Sequence, residues 1–172
     1  MNIFPQTKVQ DFSKCIDGEF IKVVAQSRTY AGLCVVDGAG KLHFLILETN
    51  HDGYQYMVTA RPPNDEVLSY GTDWIIEIIG DPQPGSKFVE HAGVLIHRET
   101  DTLIVGREIG AHGEYLHCEL KGHGIFGSLA KPATGYAFEK WEIVCIDPVT
   151  SQKQTLAKSS LTNGRSGPNQ KA

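Results

Sequence analysis

No apolar run in this chain approaches the ~18 residues that a membrane-spanning helix needs. The start, MNIFPQTKVQDFSKC, lacks the basic and then apolar segments of a secretory leader. Both absences point to a protein that stays in the cytoplasm. There are only four cysteines, with no CxxC and no other zinc spacing. No GxSxG occurs, which removes the usual serine-hydrolase elbow. Between Phe20 and Pro148 no stretch has a convincing helical period. PPNDEVLSYG comes nearest, with room for one or two turns. Acid is missing from Ser151 to Ala172, where Lys153, Lys158, Arg165 and Lys171 stand. The chain's −4 therefore divides into +4 for this tail and −8 for residues 1–150. An acidic body repels phosphate backbones, which argues against nucleic acid as a partner.

What is present is alternation. FIKVVA, LHFLIL, YQYMVTA, WIIEII, TLIV, YLHCEL and WEIVCI read as short strands, separated by turns such as VDGAGK and ETDT. The expected fold is all-β, in one domain spanning 1–150. The tail 151–172, rich in Ser, Gln, Asn and Gly, is expected to be disordered and removable without loss of stability.

A set of markers recurs in order. Ala31-Gly32-Leu33 is echoed by Ala92-Gly93-Val94, Leu42 by Leu103, His51 by His112 and Tyr54 by Tyr115. Trp74 leads to Asp81-Pro82, and Trp141 leads to Asp147-Pro148. This predicts two tandem four-stranded repeats, about 18–84 and 85–150. Together they would make eight to ten strands in a β-sandwich or a closed barrel. In this alignment Cys34, Cys118 and Cys145 replace apolar residues within strands, so they read as buried free thiols.

The stretch GHGIFG contains the GxGxxG spacing of phosphate-binding loops. Pro132 forbids the helix that would have to follow the third glycine. GHGIFGSLAKPATGYAFEK also resembles the glycine-rich hairpin of protein kinases. That resemblance implies a downstream catalytic loop and metal-binding Asp, and only 32 residues follow Lys140. AGVLIHRETDTLIVGRE resembles the opening strands of Nudix hydrolases, without their acidic helical box. Neither family is assigned. The glycines are expected to form a mobile connection, longer in the second repeat than in the first.

The richest chemistry is HGEYLHCELKGH. On a strand, Tyr115, His117, Glu119 and Lys121 share one face, and Leu116, Cys118 and Leu120 the other. The leading expectation is a non-enzymatic binding or interaction domain. Its surface would be the repeat-two end, with His117, Glu119, Lys121, His123, Gly124, Phe126 and Lys131 meeting a protein or small ligand. No cofactor is required, and neither nucleic acid nor membrane is expected as a partner. The competing expectation is a metal-dependent enzyme. There His112, His117, Glu119 and His123 would hold zinc or another divalent metal, and Glu114 would serve as general base.

Overall fold

A computed structural model describes residues 5–88, 90–109, 113–121, 124–127 and 135–159. Fifteen strands form two sheets, and no α-helix occurs among the described residues. In chain order they are β1 (Lys8–Asp11), β2 (Phe20–Ala25), β3 (Arg28–Val36), β4 (Leu42–Thr49), β5 (Met57–Thr59), β6 (Glu66–Ser69), β7 (Ile75–Ile79) and β8 (Gln83–Pro84). There follow β9 (Leu95–His97), β10 (Thr102–Glu108), β11 (Tyr115–Glu119), β12 (Ile125–Gly127), β13 (Tyr136–Phe138), β14 (Lys140–Ile146) and β15 (Lys153–Lys158). The strand count exceeds the expected eight to ten because several strands are only two to four residues long. Such pieces are too short to show a period in sequence. PPNDEVLSYG holds one of them, β6, in place of the expected helical turns. Its alternation buries Val67 and Ser69.

The larger sheet runs β1-β6-β2-β3-β4-β5-β10-β9-β13-β8, with β11 and β12 branching from β10. It is not closed into a barrel, which corrects that alternative. Its halves meet at a short parallel contact, Met57 beside Arg107 and Val58 beside Glu108. The smaller sheet is β15-β14-β7. One core joins the two sheets. Leu33, Leu45, Leu95 and Ile104 of the larger pack with Trp141, Ile143, Cys145 and Leu156 of the smaller.

Strand order within the two halves is the same: β1-β6-β2-β3-β4-β5 in one, β8-β13-β9-β10-β11-β12 in the other. Their hydrogen bonds match as well. Gly18 N–H donates to Cys34 O at 2.8 Å and Cys34 N–H to Glu19 O at 2.8 Å. Gly93 N–H donates to Val105 O at 2.7 Å and Val105 N–H to Val94 O at 3.0 Å. The Trp74 indole donates to Gly18 O at 2.7 Å, and the Trp141 indole to Gly93 O at 2.8 Å. β7 and β14 then pair antiparallel with Ile76 opposite Ile143, each two residues past its tryptophan.

These bonds place Gly93 in the role of Gly18, not of Gly32. The two Ala-Gly pairs have different causes. Gly32 lies at a bulge where a Cβ would meet the Leu45 carbonyl oxygen at 1.9 Å. Gly93 has φ +88° and lies against the Tyr56 ring, 2.4 Å from where a Cβ would stand.

The boundary at residue 150 also moves. β15 pairs with β14 along Lys153–Lys158 and buries Leu156 and Ala157. That part of the tail belongs to the fold, while residues 160–172 lie outside the described residues. The two adjacent buried residues follow from a register shift at Ile143/Val144, which hides any simple alternation.

Candidate functional site

Strand β11 runs between β10 and β12 and is covered on both faces. Leu116, Cys118 and Leu120 face the main core. His117 lies opposite Val105 on one side and Phe126 on the other, and is fully buried. Glu119 is buried too, with Arg98 at 3.6 Å. Arg98 also makes a two-pronged ion pair with Asp101. The His117 face is therefore inner structure and not an exposed binding face.

Lys121 does not join that face. The strand has ended, and Lys121 takes φ +59°. Its ammonium lies 4.2 Å from the Trp74 ring centre and donates to Thr72 O at 3.0 Å. Lys121 thus ties the end of β11 to the loop before β7. Gly124 accepts from Glu119 N–H at 2.8 Å. A Cβ there would meet the Phe126 ring at 2.2 Å, so this glycine serves close packing. Glu114 is exposed and precedes β11, an odd number of positions from His117 and so on the opposite parity. His112, His123 and Lys131 lie outside the described residues. Among the described residues no three His, Cys, Asp or Glu side chains gather as a metal site.

GHGIFG contains β12 in its second half, where Ile125–Gly127 pairs with Leu116–Cys118. The expected loop is thus partly a strand. On the β12 face opposite His117 lies a cleft of about 510 Å³. Val58, Ala60, Ile109, Leu116 and Ile125 supply apolar walls, and Asp37, Lys41, His43 and Glu108 a polar rim. Ile109 is 42% exposed.

The rim is built by the β3–β4 turn, VDGAGK. Asp37 Oδ1 accepts from Ala39 N–H and Lys41 N–H, both at 2.9 Å. Asp37 Oδ2 lies 2.8 Å from His43 Nε2. The His43 contact, then the backbone N–H groups, hold the Asp37 carboxyl below its usual range. A depressed carboxyl stabilises the folded state above its unfolded pKa, and that contribution vanishes as pH falls through the folded value. Melting temperatures of the parent and Asp37→Asn are therefore expected to differ near neutrality and to converge in acid, below pH ~4. A gap that persists at pH 2 would show that the carboxylate is not what stabilises the turn.

A second cleft, of about 550 Å³, lies near Tyr30, Glu48, Asn50 and Lys158. Beside it Tyr30 Oη lies 2.9 Å from His51 Nδ1, and His51 stacks on Tyr54 at 3.9 Å. His51 thus serves local architecture.

The sequence reading missed Asp37, His43 and Ile109. The turn was visible, but its neighbour across the cleft, β12, was read as loop. No protein-family model, curated protein or solved structure matches the chain. No helix among the described residues is long and apolar enough to cross a membrane.

Proposed function

We propose that this chain is a non-enzymatic interaction domain made of two copies of one seven-strand unit. Its site is the cleft between β12 and the β3–β4 turn, at the end of the second copy. Its ligand is an extended, apolar segment of a partner protein, seated in that cleft. The duplication reading is supported by the matched strand order and by the paired tryptophan–glycine hydrogen bonds.

One observation carries the site. The two copies treat equivalent edges differently. β5 has β4 on one side and is bridged on the other by β10, where Arg107 N–H donates to Tyr56 O at 2.8 Å. β12, the counterpart of β5, pairs only with β11 among the described residues. Val36, the counterpart of Arg107, gives its N–H to Asp17 Oδ1 at 3.0 Å instead. The fold closes one seam and caps the other, and the apolar-walled cleft lies between them, with Val58, Glu108 and Ile109 from the closed seam and Asp37 and Ile125 from the capped one. Apolar walls inside a polar rim suit an extended apolar segment, whose side chains the walls bury and whose ends the rim meets. The cleft volume falls within the ~300–1,000 Å³ usual for ligand sites.

Selection of a displayed peptide library on the folded protein tests this. Recovered peptides should be extended and apolar at alternate positions. Ile109→Asp should weaken their binding at least ~10-fold, since one buried apolar anchor contributes roughly 1.5–3 kcal/mol. Selected peptides that bind Ile109→Asp and the parent equally would reject this cleft.

A further inference from the structure

The smaller sheet ends on an apolar strand. Among the described residues β7 pairs with β14 on one side and with no strand on the other. Ile75, Ile78 and Ile79 of this strand are 48%, 44% and 45% exposed. An apolar strand at a sheet edge is a template for a further strand. None of these residues lines the cleft beside β12.

The second half shows what such an edge receives. Ile78 and Cys145 each stand four residues past the tryptophan of their half. Cys145 is 2% exposed, and Gln154 of β15 lies opposite it. β15 covers the outer edge of β14 and carries Leu156 and Ala157 into the core. By the same relation a strand belongs at the outer edge of β7. Among the described residues the chain supplies one to β14 alone.

We propose that the strand at this edge is β7 of a second copy of the chain. The two smaller sheets then join into one, in the order β15-β14-β7-β7-β14-β15. The sequence IIEII carries the choice of partner, because it reads the same in both directions. An antiparallel copy related by a two-fold axis through Glu77 sets Ile75 opposite Ile79 and Ile76 opposite Ile78, each pair twice. Opposed residues share a face of the sheet, so every isoleucine of β7 meets an isoleucine. Glu77 meets its own copy, and each Glu77 carboxylate is already ion-paired with Lys153 of its own chain. The pairing uses the β7 edge of both copies, so assembly stops at two. Five residues a side make a small interface, which implies a dimer Kd of ~1–100 µM.

Sedimentation velocity of the full chain across that concentration range tests this. A monomer–dimer equilibrium is expected. Ile78→Lys should raise its Kd at least ~10-fold, since a lysine on a strand edge opposes pairing. Circular dichroism of the dilute variant should match the parent, because Ile78 is half-exposed in the single chain. Cysteine crosslinking under mild oxidation reads the register. Glu77→Cys should form a disulfide between copies, because directly opposed residues stand ~4.5–5.5 Å apart between Cα atoms. Ile75→Cys should not, since it would stand ~13 Å from its copy. A chain that stays monomeric throughout would overturn the proposal and leave the edge to a strand of another protein. A dimer that Ile78→Lys does not weaken would overturn the assignment to β7. Faster crosslinking of Ile75→Cys than of Glu77→Cys would overturn the two-fold at Glu77.

Discussion

A chain ended at Thr150 is expected to lose its cooperative thermal transition, or to melt at least ~15 °C lower than the parent. The cut removes β15, and with it Leu156 and Ala157 from the shared core. Loss of a buried leucine side chain alone costs ~2–5 kcal/mol. The cut also uncovers the outer edge of β14 and takes away the partners of Trp141. Ser159 N–H donates to Trp141 O at 2.9 Å, and Ser159 Oγ accepts Trp141 N–H at 3.1 Å. Lys158 N–H reaches Glu48 Oε1 at 3.0 Å and anchors the strand to β4. Against a total stability of ~5–15 kcal/mol these losses are decisive. The matched truncation after Ser159 keeps β15 and should keep the transition. Differential scanning calorimetry of both truncations is the check. Equal melting of the Thr150 truncation and the parent would mean that β15 does not hold the smaller sheet.

Trp141→Ala is expected to cost ~3–5 kcal/mol, the range for emptying a buried aromatic site. Trp141 is 1% exposed and belongs to the core that joins the sheets. Its indole N–H also satisfies Gly93 O at 2.8 Å, at the start of β9. Trp141→Phe keeps most of the apolar volume and loses that hydrogen bond. It should therefore cost less, ~1–3 kcal/mol for the unsatisfied carbonyl together with the smaller ring. Urea unfolding of the three proteins measures both. If Trp141→Phe proved as costly as Trp141→Ala, the hydrogen bond and not the packing would dominate at this position.

The all-β class was legible because FIKVVA, LHFLIL and WEIVCI are short apolar, β-branched runs bounded by turn residues; β4 buries Phe44, Leu45, Ile46 and Leu47 in succession, as a strand covered on both faces does. The tryptophan markers were legible for a similar reason, since Trp74 and Trp141 keep one role in both halves. The frame between them was not. Two Ala-Gly pairs looked alike, yet one glycine answers a bulge and the other a positive φ under a tyrosine ring. Local chemistry of different origin produced the same letters.

The tail misled through composition. Its polar residues outweigh Leu156 and Ala157, and the bulge hides their burial pattern. At the candidate site, alternation correctly separated His117 and Glu119 from Leu116 and Cys118. It could not reveal that β12 and neighbouring core residues cover the histidine face. Histidine and glutamate on a strand read as a surface, and only the pairing partner decides otherwise. The cleft escaped because Asp37 and His43 are about eighty residues from Leu116 and Ile125 in the chain.

The proposed docking site is tested most directly by amide NMR of the labelled protein, titrated with a peptide from the selection. Shifts are expected at Thr59, Glu108, Ile109, Leu116 and Ile125 and at the Asp37–His43 turn. Shifts confined to Tyr30, Glu48, Asn50 and Lys158 would place binding in the second cleft and contradict the assignment.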